Sequence, residues 1–182
     1  MRLIHSLLPA ALVLGAVSTA HAQLPADSVM LDKVKISEKQ KSTDLCPVYL
    51  VASDPKLPTW EYKGVKYRGS KPDAQEKFLK EPEKYAKAAA KQRYVNNFMQ
   101  AMSPVWCPVT DEVTPGGMTQ WKKLGFTFES CCAFCDENVS DDDFPEAVKK
   151  LKARAEKSYE LTGGKYTEGA KSPVEGAIKK PA

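Results

Sequence analysis

A repeat of 61 residues constrains this chain more than any other feature. The tripeptide Cys-Pro-Val occurs at Cys46 and again at Cys107. Three further pairs match at the same offset: Trp60 and Trp121, Gly64 and Gly125, Tyr67 and Phe128. One shared tripeptide could arise by chance, but a tryptophan and a glycine in the same register indicate an internal duplication. The sequence therefore predicts two copies of one small unit.

Each copy contains the signals of a β-hairpin followed by a helix. The stretches WEYKGVKYRG and WKKLGFTFES alternate large apolar and polar residues around a central glycine, which is typical of a hairpin. In the first copy Pro72 and Pro82 are placed as helix-start prolines. The alanine-rich stretch after Pro82 predicts a helix that packs between the copies, with one face formed by Tyr85, Ala88, Ala89, Gln92, Val95 and Met99. In the second copy Pro145 predicts the start of a helix that runs to about Tyr159.

These elements predict an α+β fold of two small modules, each a β-hairpin followed by helix, packed together. We expect the first module at residues 44–103 and the second at 104–161. Residues 23–43 and 162–182 are polar segments, the second rich in glycine and lysine, and we expect both to be flexible.

Residues 1–22 have the pattern of a signal peptide. Arg2 precedes an apolar run over 7–17, and Ala20-His21-Ala22 is a small-x-small cleavage site. The run is shorter than the roughly 20 residues that span a bilayer. We expect cleavage before Gln23 and a periplasmic or secreted protein that does not span the membrane after cleavage.

This cleavage would also remove every histidine, because His5 and His21 both lie in the predicted signal peptide. Ser-His-Asp and Cys-His catalysis would then be excluded, as would zinc sites built on imidazole. Lysines alternate with glutamates and the net charge is only +4, so no nucleic-acid partner is expected.

The repeated unit resembles the YHS domain, a small module related to the TRASH group of metal-associated, zinc-ribbon-like domains. The first copy carries CPV, YKGVKYRG and EKFLKEPEKY, but has Ser70 and Ala74 where the family has Cys-x-x-x-Cys. The second copy carries CPV, LGFTF and then Cys131-x-x-x-Cys135, with Cys132 as an additional thiol. The resemblance covers about 46–151, and it implies metal binding in the second copy and a degenerate first copy.

If the fold follows this resemblance, Cys107 lies beside Cys131 and Cys135, whose sulfurs are one helical turn apart. Three converging thiolates favour a soft ion such as copper, as Cu(I), or zinc. A fourth ligand could be Cys132, Asp136 or water, and Met118 is a weaker thioether candidate. The predicted function is an exported, non-enzymatic metal-binding protein whose ligands are Cys107, Cys131, Cys135 and Cys132.

Two alternatives remain open from the sequence. Cys132-Ala-Phe-Cys135 has the spacing of thiol-disulfide oxidoreductases. In an oxidising compartment the cysteines could instead form structural disulfides, such as Cys107 with Cys131, in a scaffold or interaction module. Cys46 is interpreted as a buried small hydrophobe or as a disulfide partner of Cys132.

Overall fold

The computed structural model describes residues 38–114 and 116–165. The predicted signal peptide and most of both predicted flexible segments lie outside these residues. The elements follow in the order β1 (Thr59–Tyr62), β2 (Val65–Arg68), α1 (Ala74–Lys80), α2 (Pro82–Met102), β3 (Gln120–Lys123), β4 (Phe126–Glu129), α3 (Ala133–Asn138) and α4 (Asp143–Thr162). A short 3-10 helix, Ser103–Val105, follows α2. The predicted α+β class is confirmed.

Both predicted hairpins form, and both use the same tight turn. Strands β1 and β2 are antiparallel, as are β3 and β4. The two turn residues have positive φ in each hairpin, 50° and 77° at Lys63 and Gly64, and 54° and 80° at Leu124 and Gly125. Two successive positive φ angles define a type I′ turn, whose twist matches that of the flanking strands. The glycine of each pair supplies the conformation that other residues adopt at a cost.

The structure repeats with the same offset as the sequence. The strands and the long helices of the two copies begin 61 residues apart: β1 and β3 start at Thr59 and Gln120, and α2 and α4 at Pro82 and Asp143. The short helices α1 and α3 differ slightly, because they start at Ala74 and Ala133. The loop after each Cys-Pro-Val repeats as well. It is closed by equivalent bridges, Leu45 with Ala52 and Trp106 with Val113, and by equivalent backbone hydrogen bonds, Cys46 to Val51 at 2.8 Å and Cys107 to Glu112 at 2.9 Å.

The last helix is longer than the sequence predicts. It begins at Asp143, not at Pro145, and continues to Thr162. Proline is tolerated here because the first helical N–H groups have no partner within the helix. The carboxylate of Asp143 accepts hydrogen bonds from the backbone and hydroxyl of Ser140 at 2.7 and 2.9 Å, which anchors the preceding turn. Gly163, with φ of 62°, ends the helix in the left-handed conformation.

The described residues form two hydrophobic cores. The first belongs to the first copy and consists of Leu45, Cys46, Trp60, Tyr67, Ala74, Phe78 and Ala89. The second joins the later part of α2 to the second copy and consists of Tyr94, Val95, Phe98, Met99, Met102, Trp106, Phe128, Phe144, Ala147, Leu151 and Ala155. The two copies thus share the long helix α2.

Helix α2 packs against α4, but not mainly through its alanines. Ala89 belongs to the first core, whereas the larger side chains that follow it contact the second copy. The Tyr94 and Ser158 hydroxyls lie 2.7 Å apart in a hydrogen bond, and the rings of Tyr94 and Tyr159 meet edge to face at 5.5 Å. The predicted packing of α2 between the copies is correct, and Val95 and Met99 of the predicted face lie in the second core, together with Tyr94 and Phe98.

None of the helices in the described part of the chain combines the length and the apolar character that crossing a membrane requires.

Candidate metal centre

Three thiols of the second copy converge at one point. The sulfurs of Cys107, Cys131 and Cys135 all lie within 4.8 Å of one another, and those of Cys131 and Cys135 are 3.4 Å apart. Cys107 and Cys135 are fully buried, and Cys131 is half-buried. The structure therefore brings together three of the four predicted ligands from two separate segments of the chain.

The loop that carries Cys107 is held against the end of β4. Glu129 donates its backbone N–H to the carbonyl of Trp106 at 3.3 Å. On the other side of the loop, Asp111 accepts a hydrogen bond from Arg154 of α4 at 3.1 Å, and the Arg154 guanidinium lies 4.5 Å from the Trp106 ring centre. The loop is thus fixed to both the hairpin and the last helix, which places the Cys107 sulfur beside the residues that follow β4.

The other two thiols of the group lie at the start of α3. Ser130, fully buried after β4, donates its backbone N–H to Thr119 at 2.9 Å, and Cys131 follows directly. Cys132 is the N-cap of α3 and Cys135 lies in its first turn. Cys131 precedes the N-cap and lies outside the helix, and the extended backbone at Cys132 leaves the Cys131 sulfur 3.4 Å from that of Cys135.

Cys132 lies at the edge of this group. Its side chain is exposed, and its sulfur is 3.8 Å from that of Cys131 and 3.7 Å from that of Cys135. The group of ligand atoms within 4.8 Å of one another includes neither Cys132 nor Asp136. Asp136 is half-buried on α3, and its Oδ1 is buried without a hydrogen-bond partner. Met118 donates its backbone N–H to the buried Glu129 carboxylate at 2.9 Å.

The sulfur separations fit thiolate coordination. A Zn–S bond of about 2.3 Å gives sulfur-to-sulfur edges of about 3.8 Å in a tetrahedron. The three separations among Cys131, Cys132 and Cys135 are 3.4, 3.7 and 3.8 Å. One ion can therefore be held by these sulfurs with shifts of a few tenths of an ångström.

The four thiols have different proton affinities. Burial raises the pKa of Cys135, and the neighbouring thiols of Cys131 and Cys107 raise it further. Burial also raises the pKa of Cys131. At Cys107 burial acts in the same direction, but hydrogen bonds from the side chain and backbone of Thr110 outweigh it and leave the pKa below its ordinary value. The pKa of Cys132 is lowered, first by the backbone N–H of Cys135.

Thr110 is the site residue that the sequence interpretation missed. Its hydroxyl lies 3.4 Å from the Cys131 sulfur and hydrogen-bonds Cys107, so it contacts ligands from both segments. Such groups orient metal ligands and tune their basicity. The sequence does place Thr110 only three residues after Cys107, which could have indicated that it lies near this thiol. The equivalent residue in the loop of the first copy is Tyr49.

The equivalent place in the first copy has different chemistry. Cys46 is fully buried in the first core, as the buried-hydrophobe interpretation predicts. Ser70 and Ala74 stand at the positions of Cys131 and Cys135. Tyr49, which stands where the second copy has Thr110, donates its hydroxyl to Asp73 at 2.8 Å and accepts a hydrogen bond from Lys77 at 2.8 Å. This copy offers a single thiol.

The two alternatives for the cysteines can be compared with this geometry. All five cysteines are free thiols in the structure. The Cys-x-x-Cys pair of an oxidoreductase normally follows a strand of a parallel sheet. Within residues 38–114 and 116–165, the sheets are two separate antiparallel hairpins. The local strand-then-helix order resembles that of an oxidoreductase, but the described fold is different.

No protein-family model, curated protein or solved structure matches this chain.

Proposed function

We propose that this chain is an exported metal-binding protein, which holds one soft ion, Cu(I) or Zn(II), in the second copy. Cys107, Cys131 and Cys135 are the central ligands, and Cys132 is available as a fourth. The observation that carries the proposal is the convergence of three sulfurs, two of them fully buried, within 4.8 Å of one another.

The donor set determines the class of ion. Thiolates are soft ligands that select Cu(I) and Zn(II) over Mg²⁺ or Ca²⁺, which prefer oxygen. Buried sulfurs from a loop and from a helix start also limit access of water to the ion. We propose no catalytic role, because the converging thiols account for ion binding by themselves.

We further propose that each copy is a YHS-like module and that the first serves as a scaffold. The support is the Cys-Pro-Val motif, the hairpin and the long helix, which recur in both copies 61 residues apart. The first copy keeps the fold but has Ser70 and Ala74 at two ligand positions.

Export is the part of the proposal that the sequence alone supports. We expect the mature protein to begin at Gln23, because Ala20 and Ala22 fit the small pockets of a signal peptidase. Intact-mass measurement of protein purified from its native cell envelope or medium tests this. Protein that retains residues 1–22 would contradict export with cleavage and would restore both histidines to the list of possible ligands.

A melting series tests metal binding against a disulfide staple. We expect the reduced protein to take up about one Zn(II) or Cu(I) ion per chain and to gain stability. At a hundredfold excess of free ion over the dissociation constant, the gain is about 2.7 kcal/mol if only the folded state binds. Calorimetry measures the stability of three samples: the oxidised protein, the reduced protein, and the reduced protein loaded with metal. Elemental analysis gives the number of ions per chain.

A structural disulfide predicts a different pattern in the same series. Stability would then fall on reduction, and added metal would not restore it. If the reduced protein binds neither ion, the metal proposal is wrong and a disulfide-stabilised module is preferred.

A further inference from the structure

The four thiols of the second copy differ in how far solvent reaches them. Cys107 and Cys135 are fully buried, Cys131 is half-buried and Cys132 is exposed. A molecule that takes an ion from this site can therefore touch Cys132 first, whereas two of the central ligands are out of its reach.

The Cys132 sulfur is also close enough to share an ion with its neighbours. Two sulfurs bound to one ion at about 2.3 Å each can be at most about 4.6 Å apart. Cys132 lies 3.8 Å from Cys131 and 3.7 Å from Cys135. An ion that these two cysteines hold can bind Cys132 without a large movement of the chain.

We propose that Cys132 is an exchange ligand, through which the second copy passes its ion to an acceptor that bears thiols. This proposal rests on the metal-binding function proposed above. In the first step the ion exchanges the buried Cys107 for the exposed Cys132. An acceptor thiol then binds the ion, and the remaining protein ligands leave.

The exchange balances without an oxidant or a reductant. Each acceptor thiol that binds the ion releases one proton, and each cysteine that leaves the ion takes up one proton. The sulfurs and the ion keep their oxidation states throughout. The acceptor is therefore defined by its chemistry as a reduced thiol peptide or protein.

Two further observations favour exchange. Ala133 and Phe134, which follow Cys132, are exposed, and Phe134 has 66% of its surface in solvent, so the approach to Cys132 is open. The position equivalent to Cys132 in the first copy is Lys71, which lies 4.9 Å from the Tyr49 ring centre. The additional thiol is therefore present in the copy that has the other proposed ligands, and a lysine replaces it in the other copy.

If Cys132 were only a structural fourth ligand, its removal would change the rate of ion transfer in the opposite direction. If Cys132 only closed the coordination shell, its removal would loosen the site and speed the loss of the ion. If Cys132 carries the ion during exchange, its removal destabilises the partly released state and slows transfer. The sign of the rate change separates the two roles.

The test uses full-length mature protein loaded with Zn(II) and, in a parallel preparation, with Cu(I). A synthetic dithiol peptide with a Cys-x-x-Cys sequence is the acceptor, and stopped-flow spectroscopy follows the transfer. For Cys132→Ser we expect transfer to slow by at least about tenfold, because the intermediate loses one thiolate. The equilibrium affinity of the same variant is measured in parallel, because the loss of a purely structural ligand would weaken binding and speed transfer together.

Ala133→Ser is the matched control, because it places a hydroxyl on the neighbouring exposed residue and leaves all thiols in place. We expect it to transfer at the wild-type rate. Transfer from Cys132→Ser that is as fast as wild type, or faster with weaker binding, would overturn the exchange role and leave the metal-binding function intact. Failure of the wild-type protein to load either ion would overturn both.

Discussion

The variant Cys131→Ser/Cys135→Ala should fold but should not retain a metal ion. It removes two of the three sulfurs that converge within 4.8 Å. Sites of this kind bind with about 10–16 kcal/mol. Losing half of that is a decrease in affinity of at least about 10³-fold, since 1.4 kcal/mol is tenfold. Competition titration with a chromophoric chelator, under reducing conditions, measures the loss.

The substitutions are chosen because the first copy already contains them. Ser70 and Ala74 occupy the equivalent positions, and the hairpin and helices around them form. Circular dichroism should therefore show an unchanged fold, so that a loss of binding reports the ligands alone.

Cys46→Ala and Cys107→Ala form a second matched pair. Both cysteines are fully buried at the start of equivalent loops, but only Cys107 belongs to the sulfur group. We expect Cys107→Ala to weaken binding strongly and Cys46→Ala to leave it close to wild type. An equal loss from Cys46→Ala would show that the ion is shared between the copies, and our assignment to the second copy would be wrong.

Phe128→Ala should have the largest effect on stability, a loss of about 3–5 kcal/mol. The side chain is fully buried in the second core, and its ring centre lies 5.5 Å from that of Phe144 and 6.1 Å from that of Phe126. Its truncation removes apolar contact and leaves a cavity between the hairpin and α4. Urea denaturation of the reduced protein measures the change.

Phe134→Ala is the control for this substitution. It makes the same chemical change on a side chain with 66% exposure, and surface substitutions usually alter stability by no more than about 0.5 kcal/mol. Similar losses from both variants would show that the core around Phe128 does not stabilise the fold in the way described.

The features that could be predicted from the sequence are the ones encoded locally. Each hairpin has its alternation and its turn glycine within ten residues, so Gly64 and Gly125 identify both. Because the unit is repeated, the identification of one hairpin supports the identification of the other. The convergence of Cys107 with Cys131 and Cys135 required one further step, the resemblance to a known module, because these residues are 24 or more positions apart.

The features that escaped prediction depend on distant contacts. Val95 and Met99 of the predicted face of α2 reach the second core, but Tyr94 and Phe98, which pack in the same core, are not part of that predicted face. The place of Thr110 three residues after Cys107 suggests a position near that thiol, but it does not indicate the contact with Cys131, which is 21 residues away. Its role emerges only when the Cys107 loop is folded against the end of β4.

The first copy has a consequence for the lifetime of the protein. Its Cys-Pro-Val loop is closed by the same kind of bridge as that of the second copy, and a helix again follows the hairpin, although Ser70 and Ala74 stand where the second copy has Cys131 and Cys135. The backbone around the thiol positions therefore forms without a bound ion. Classical zinc fingers differ in this respect, because they are unfolded without metal. Proteases degrade mainly the opened state. We therefore expect the metal-free chain to keep its fold, and to be cleaved faster than the loaded chain only to the extent that the bound ion adds stability.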